Sequence, residues 1–103
     1  MSNAVHHLSP VTHELKQLGI ALRRARLARN ESQAVLAKRL GLAERTVRAV
    51  EAGDPGVAAG TLVGLLWAVG IEALSKTAEH QAAQLAAASG RARASPETFD
   101  GDF

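Results

Sequence analysis

The chain has 103 residues, a net charge of +2 and no cysteine, and 47 % of its residues are hydrophobic. This length accommodates one small domain with tails, and the absence of cysteine excludes disulfides and thiolate metal sites. The start of the chain lacks the pattern of a signal peptide, and the uncharged stretch 55–71 is shorter than the roughly 20 apolar residues of a membrane helix. We therefore expect a soluble, cytoplasmic protein.

The charge is distributed unevenly along the chain. Residues 14–53 carry nine Lys and Arg against four Asp and Glu, whereas residues 54–103 carry three against six. A basic segment of this kind indicates a surface for a polyanion, and the acidic second half favours a different partner.

The spacing of the apolar residues predicts five helices and no strand. The first helix begins at Ser9, which we expect to act as the N-cap because proline follows it. The fourth is apolar on nearly every side and therefore needs cover on every side, part of it from a second chain. The expected helices cover about 9–29, 32–40, 43–52, 59–69 and 71–89.

The third predicted helix has two chemically different faces. At 100° per residue, Val47 and Val50 fall on one side, and the charged residues Glu44, Arg45 and Arg48 fall on the other. The valines can anchor the helix while the charged side chains face outward. Only a short turn separates this helix from the preceding one, as expected where two helices cross steeply and the second enters a DNA major groove.

The run SQAVLAKRLGLAERTVRAVEAG, residues 32–53, resembles the helix-turn-helix of the Xre family of lambda-type repressors. The similarity depends on the Ser-Gln opening, the small Ala37, the turn glycine Gly41, the branched Val47 and the closing Glu-Ala-Gly. It extends over about residues 15–70. It implies an all-α, lambda-repressor-like domain of four to five compact helices that binds double-stranded DNA.

The resemblance also implies roles for individual residues. Gln33 is expected to contact phosphate and to brace the recognition helix, and Glu44 and Arg45 occupy the positions nearest the base edges. Arginine pairs with guanine and glutamate accepts from cytosine, but arginine binds phosphate equally well, so both roles remain open for Arg45 and Arg48. The expected DNA-binding residues are Ser32, Gln33, Lys38, Arg39, Ala43, Glu44, Arg45, Thr46 and Arg48.

Two other charged residues are expected to be structural. In the family, an arginine late in the first helix pairs with a glutamate near the end of the recognition helix. Arg26 and Glu51 occupy the matching positions, so the resemblance implies an ion pair between them rather than contacts with DNA.

Repressors of this kind bind palindromic operators as two-fold dimers, because one helix-turn-helix reads only a few base pairs. The fourth and fifth helices are candidates for the dimer interface. The alternative for Trp67 is a place in the core of a single subunit. The expected interface residues are Leu66, Trp67, Leu74 and Leu85.

The stretch GDPGVAAGTL, residues 53–62, and the ending FDGDF are similar to HipB-like antitoxins, which neutralise a toxin kinase and repress their own operon. Both phenylalanines of the chain lie in its last five residues, in a segment whose composition predicts disorder. Such a tail suits docking into a partner groove, and the alternative is a solvated terminus. The expected docking residues are Phe99, Asp100, Asp102 and Phe103.

Two alternatives to the antitoxin remain open, a stand-alone Xre-type regulator and an adaptor that works only through protein contacts. Catalysis is not expected, because the four histidines lack metal-ligand spacing and no glycine-rich phosphate loop follows a strand. We expect no cofactor and no metal. The expected organisation is a flexible arm (1–8), the DNA-binding domain (9–70), a C-terminal dimerisation helix (71–89) and a disordered acidic tail (90–103).

Overall fold

The computed structural model describes residues 4–90. Within this range the chain forms a 3-10 helix at Ala4–His7 and five α-helices, with no strand. The all-α class expected from the sequence is therefore confirmed for this part of the chain. The α-helices are α1 (Ser9–Ala28), α2 (Gln33–Leu40), α3 (Glu44–Glu51), α4 (Ala59–Ala68) and α5 (Leu74–Gly90).

The chain divides into two compact units between Glu72 and Ala73. The first unit contains α1 to α4, and each of these helices contributes to one hydrophobic core. The described part of the second unit contains α5, and none of the described α5 residues is buried. The buried apolar residues of the first unit are Leu22, Leu36, Ala37, Val47, Val50, Leu65, Leu66 and Val69.

Each of the four α-helices of the first unit ends in the same hydrogen-bonded turn. After α2, Gly41 has a φ of 70°, and the amide of Leu42 donates to the carbonyl of Ala37 at 2.8 Å. This Schellman arrangement satisfies carbonyl groups that a helix end otherwise leaves unpaired. It recurs after α1, α3 and α4 with a positive φ at Asn30, Gly53 and Gly70.

The expected cap at the start of α1 is wrong. Leu8 occupies the N-cap position, and no side chain caps the helix there. Ser9 already lies inside α1, and its carbonyl accepts a hydrogen bond from the Thr12 hydroxyl at 3.0 Å. Pro10 is then the second residue of α1, where it removes no helical hydrogen bond because first-turn amides have no partner within a helix.

Helices α1 and α3 come unusually close at Gly19. A Cβ at this position would lie 2.7 Å from the carbonyl oxygen of Val50 and 2.8 Å from the carbonyl carbon of Glu51. Glycine inside a helix costs about 1 kcal/mol relative to alanine. Here the glycine lets the backbone of α1 lie directly against the end of α3, and so sets the distance between these two helices.

We expect Gly19→Ala to lower the stability of the chain, although alanine is the better helix former. Overpacking typically costs about 1–3 kcal/mol, which exceeds the gain of about 1 kcal/mol in helix propensity. Thermal denaturation followed by circular dichroism measures the difference.

The matched control for this prediction is Gly64→Ala in α4, because a Cβ added there meets no atom of the described residues within 4 Å. In dilute solution, this variant should have a higher melting temperature than the parent chain, since only the propensity gain applies there. A higher melting temperature for Gly19→Ala as well would contradict the close approach of α1 and α3.

Candidate nucleic-acid interface

Helices α2 and α3 pack against each other, and α3 also packs against α1. Val47 is fully buried and Val50 is nearly so, so the inner face of α3 is apolar. Glu44, Arg45 and Arg48 are all exposed. The two faces that the sequence predicts for α3 are therefore present in the structure.

Arg26 and Glu51 form a buried, bidentate ion pair between α1 and α3. The Nε atom of Arg26 donates to Oε2 of Glu51 at 2.6 Å, and Nη2 donates to Oε1 at 3.0 Å. Their side chains are only 7 % and 6 % exposed. A bidentate pair of this geometry fixes both the distance and the relative orientation of its two groups.

Two more hydrogen bonds extend this pair into a cluster, here named the Glu51 cluster and made up of Arg26, Gln33 and Glu51. Nε2 of Gln33, at the start of α2, donates to Oε1 of Glu51 at 2.9 Å. The remaining guanidinium nitrogen of Arg26 donates to the carbonyl of Glu31 at 2.8 Å. One carboxylate thus links α3 to both α1 and α2.

The cluster keeps Glu51 ionised. Burial is the largest single influence and raises the pKa of its carboxyl group, but the hydrogen bonds from Arg26 and Gln33 together with the charge of Arg26 outweigh it. The pKa of Glu51 therefore lies below its ordinary value. The hydrogen bond to Glu51 in turn raises the pKa of Arg26.

Arg39 makes contacts that the sequence analysis missed. Its Nε and Nη2 atoms donate to the two carboxylate oxygens of Glu31 at 3.0 Å each, and Nη2 also donates to the carbonyl of Ala68 at 3.1 Å. The hydrogen bond from Arg39 lowers the pKa of Glu31. Arg39 therefore ties α2 to the end of α4. A contact with phosphate, as expected for Arg39, would compete with these bonds.

The charged residues on the outer face of α3 differ in their partners. Nη1 of Arg48 lies 3.2 Å from Oε2 of Glu44, one helical turn away, and both side chains are about half exposed. Exposed pairs of this spacing contribute only about 0.3–0.5 kcal/mol, so this one opens readily. Arg45 has no carboxylate partner in the part of the chain that the structure describes.

The other expected contact residues surround the same helix pair. Ser32 caps α2, because its Oγ accepts a hydrogen bond from the amide of Val35 at 3.0 Å. Ala43 precedes α3 without any side-chain cap. Lys38 is exposed and Thr46 is half-buried. All nine expected residues thus lie on α2 or α3 or at the N-cap positions of these helices.

The expected interface role of Leu66 is wrong, and so is the alternative that Trp67 lies in the core of a single subunit. Leu66 is fully buried in the core of the first unit, so it cannot contact a second chain. Trp67 is 63 % exposed and therefore does not fill that core. Leu85 is exposed and Leu74 is partly exposed. The expected docking residues Phe99, Asp100, Asp102 and Phe103 lie outside the described residues.

No family model matches the chain, and no curated protein or solved structure matches it either. Among residues 4–90, no group of three or more His, Asp or Glu side chains is placed to hold a metal ion. None of the helices that the structure describes has the length and hydropathy needed to cross a membrane.

We expect Glu51→Gln to destabilise the chain by several kcal/mol, because breaking one side of a buried ion pair typically costs about 3–5 kcal/mol. Folding lowers the pKa of Glu51, so its contribution is complete above the pKa of the unfolded carboxyl group, about 4.3. The contribution is lost as the pH falls through the lower pKa of the folded chain. The variant should therefore lose less stability than the parent between about pH 7 and pH 3.

Urea denaturation at a series of pH values measures this effect. Glu14→Gln is the control, since Glu14 is exposed on α1 and has no ion pair among the described residues. Parallel pH curves for Glu51→Gln and the parent chain would contradict the role of the cluster.

Proposed function

We propose that the chain is a sequence-specific transcriptional repressor that binds double-stranded DNA as a homodimer on a palindromic operator. The observation that carries this proposal is the construction of α3. Its inner face is anchored by buried valines and by Glu51, and Glu44, Arg45 and Arg48 on its outer face are exposed. A helix whose inner face is anchored in the core and whose outer face is charged suits a recognition helix in a major groove. The similarity of residues 32–53 to Xre-type helix-turn-helix sequences supports a lambda-repressor-like domain.

The Glu51 cluster supports the proposal because base reading requires a rigid helix. A contacting side chain must be positioned within about 0.5 Å, which depends on supporting hydrogen bonds behind it. Glu51 is bonded from α1 and from α2 at the same time. Gln33 uses one N–H group for this support and keeps a second one that can donate to a phosphate oxygen.

The charge of α1, α2 and α3 also supports a polyanionic partner. Several cations on these three helices are exposed, so phosphate groups can reach them without prior unfolding. Each phosphate that they neutralise releases counterions, which makes binding steeply dependent on salt. The exposed cations of α1 to α3 without a carboxylate partner among residues 4–90 are Lys16, Arg23, Arg24, Lys38 and Arg45.

Within α3 we assign base reading to Arg45. It carries no ion pair among the described residues, so it loses no partner on entering the groove, and its planar guanidinium matches the two acceptors of guanine. Arg48 must first leave Glu44. Glu44 can then accept from a cytosine amino group while Arg48 contacts a base or phosphate one turn further on.

We expect Arg45→Ala to weaken binding to the operator by about 1–3 kcal/mol while leaving affinity for unrelated duplexes nearly unchanged. The operator would first be selected from random duplexes with the parent chain. Fluorescence anisotropy at several salt concentrations then gives both affinities and the salt dependence.

The matched control is Arg24→Ala, which removes the same charge from an exposed position on α1. This variant should keep the preference for the operator, because any effect on phosphate contacts applies to all sequences. An unchanged preference in Arg45→Ala would exclude its base-reading role. No salt-dependent binding by the parent chain would exclude DNA binding itself and favour the adaptor.

We further propose that the chain is the antitoxin of a type II toxin–antitoxin pair, in which it neutralises a HipA-like kinase and represses its own operon. The supporting observation is compositional. The only two phenylalanines of the chain, Phe99 and Phe103, lie among acidic residues, including Asp100 and Asp102, near its end. Short segments of this kind bind partner grooves and become ordered on binding. A stand-alone Xre-type regulator is the alternative. In either case we propose a cytoplasmic binding protein without enzymatic activity.

Deleting residues 95–103 should leave operator binding nearly unchanged and weaken retention of the kinase encoded beside the chain's gene. The reason is that the deletion removes both phenylalanines and none of the helix-turn-helix. Pull-down of the co-expressed kinase measures the effect. Phe99→Ser with Phe103→Ser is the control for the aromatic rings, and full retention of the kinase by both variants would contradict a docking tail.

A further inference from the structure

Helix α4 carries an uncovered apolar face, here named the α4 face and made up of Gly60, Val63, Gly64 and Trp67. Val63 is 51 % exposed and Trp67 is 63 % exposed, and both glycines beside them are exposed as well. No charged residue occurs between positions 55 and 71. An exposed apolar patch without charges is typical of a surface that another molecule covers.

The α4 face has two large side chains and two open hollows. A Cβ added to Gly60 or to Gly64 meets no atom of residues 4–90 within 4 Å, so none of the described residues occupies the space outside the helix backbone at either position. Val63 and Trp67 are one turn apart and form a ridge, and the two glycines form the groove beside it. Ridge and groove therefore lie next to each other on one helix.

We propose that the α4 face binds the α4 face of a second copy of this chain, with the two helices antiparallel about a two-fold axis between Val63 and Gly64. The four positions are symmetric about that point along the sequence. The symmetry places Trp67 opposite Gly60 of the partner subunit, and it places Val63 opposite Gly64 of the partner subunit. Each large side chain then fills a hollow, and the same contacts occur twice.

The arrangement of large and small residues favours a second copy over an unrelated partner. When the α4 sequence is reversed about the point between Val63 and Gly64, each large residue falls on the position of a small one. Binding of a second copy requires this symmetry, whereas binding of an unrelated partner does not. The α4 face itself carries no charge, and the Arg39 guanidinium at the end of α4 is paired with the Glu31 carboxylate. Two copies of this face therefore meet with little like-charge repulsion, whereas two copies of the basic α3 surface would repel each other. Small residues let the helix backbones approach closely, which increases the packing of Trp67.

The α4 contact forms the centre of the interface rather than all of it. A helix of ten residues is about 15 Å long, and a stable interface buries about 800 Å² per partner. Buried tryptophans at the centre of an interface usually dominate its binding energy. The inference rests on the proposed function insofar as a two-fold dimer matches a palindromic operator, but it can be tested without DNA.

The first experiment uses Trp67 as its own reporter, because it is the only tryptophan in the chain. Indole emission moves to shorter wavelengths in apolar surroundings. With the full chain, we expect this shift to appear as concentration rises, in step with dimer formation measured by analytical ultracentrifugation. A dimer that forms without a change in Trp67 emission would overturn the proposal, and so would a monomer at every concentration.

The second experiment places single cysteines in a chain that has none of its own. Val63→Cys lies beside the proposed axis, so the thiols of two copies should form a disulfide under mild oxidation. Val35→Cys is the matched control, because Val35 is also 51 % exposed but belongs to α2 rather than to α4. Rapid cross-linking of Val63→Cys alone supports the proposal, and equal cross-linking of both variants or of neither overturns it.

A third variant, Gly64→Gln, separates dimer formation from folding. The hollow at Gly64 is open within one copy, so the variant should retain its circular dichroism spectrum and melt at or above the parent temperature in dilute solution. It should dimerise at least tenfold more weakly, because the added side chain occupies the site of Val63 of the partner subunit. A folded variant that dimerises like the parent overturns the proposal, as does a dimer that Leu85→Gln abolishes and Gly64→Gln does not.

The DNA measurements distinguish the two proposals. If the parent chain dimerises through the α4 face but shows no salt-dependent DNA binding, the proposed function fails and the inference stands. If the parent chain binds its operator as a dimer while Trp67 stays exposed to water, the inference fails and the proposed function stands.

Discussion

The carboxylate of Glu51 is the group on which the first unit depends. It belongs to α3, and it accepts hydrogen bonds from Arg26 on α1 and from Gln33 on α2. A buried cluster of this kind is strong when every member is satisfied and costly when one is missing. The orientation of the exposed face of α3 therefore depends on a residue that does not itself face outward. Because Glu51 positions the helix, the exposed residues Glu44, Arg45 and Arg48 are not needed to hold α3 in the core.

The same constraint explains how such short helices persist. Helices α2 and α3 have eight residues each, well below the about 12–15 residues at which isolated helices become even marginal in water. Their stability must come from packing. The absence of a side chain at Gly19 lets α1 pack closely against the end of α3, and the cluster bonds α3 to both α1 and α2. The Schellman turns at their ends add hydrogen bonds without adding length.

The ion pairs also change how the charge of the chain is interpreted. The basic excess of residues 14–53 suggests a uniformly cationic surface. In the structure, Arg26 forms an ion pair with Glu51, and Arg39 forms one with Glu31, so neither arginine is freely available to a partner. The unengaged charge on α3 is concentrated at Arg45. Helix α4, by contrast, exposes the apolar side chains of Val63 and Trp67 and contains no charged residue.

The sequence by itself determined the helical class, the approximate helix boundaries and the two faces of α3, because these depend on residues within one or two helical turns. The resemblance of residues 32–53 to Xre-type sequences also predicted the ion pair between Arg26 and Glu51, which the structure contains. Only the tertiary structure decided that Leu66 is buried while Trp67 is exposed, because a helix that is apolar on every side does not specify which side meets the core. The same holds for Arg39, whose partners Glu31 and Ala68 are brought to it by chain packing rather than by helical periodicity.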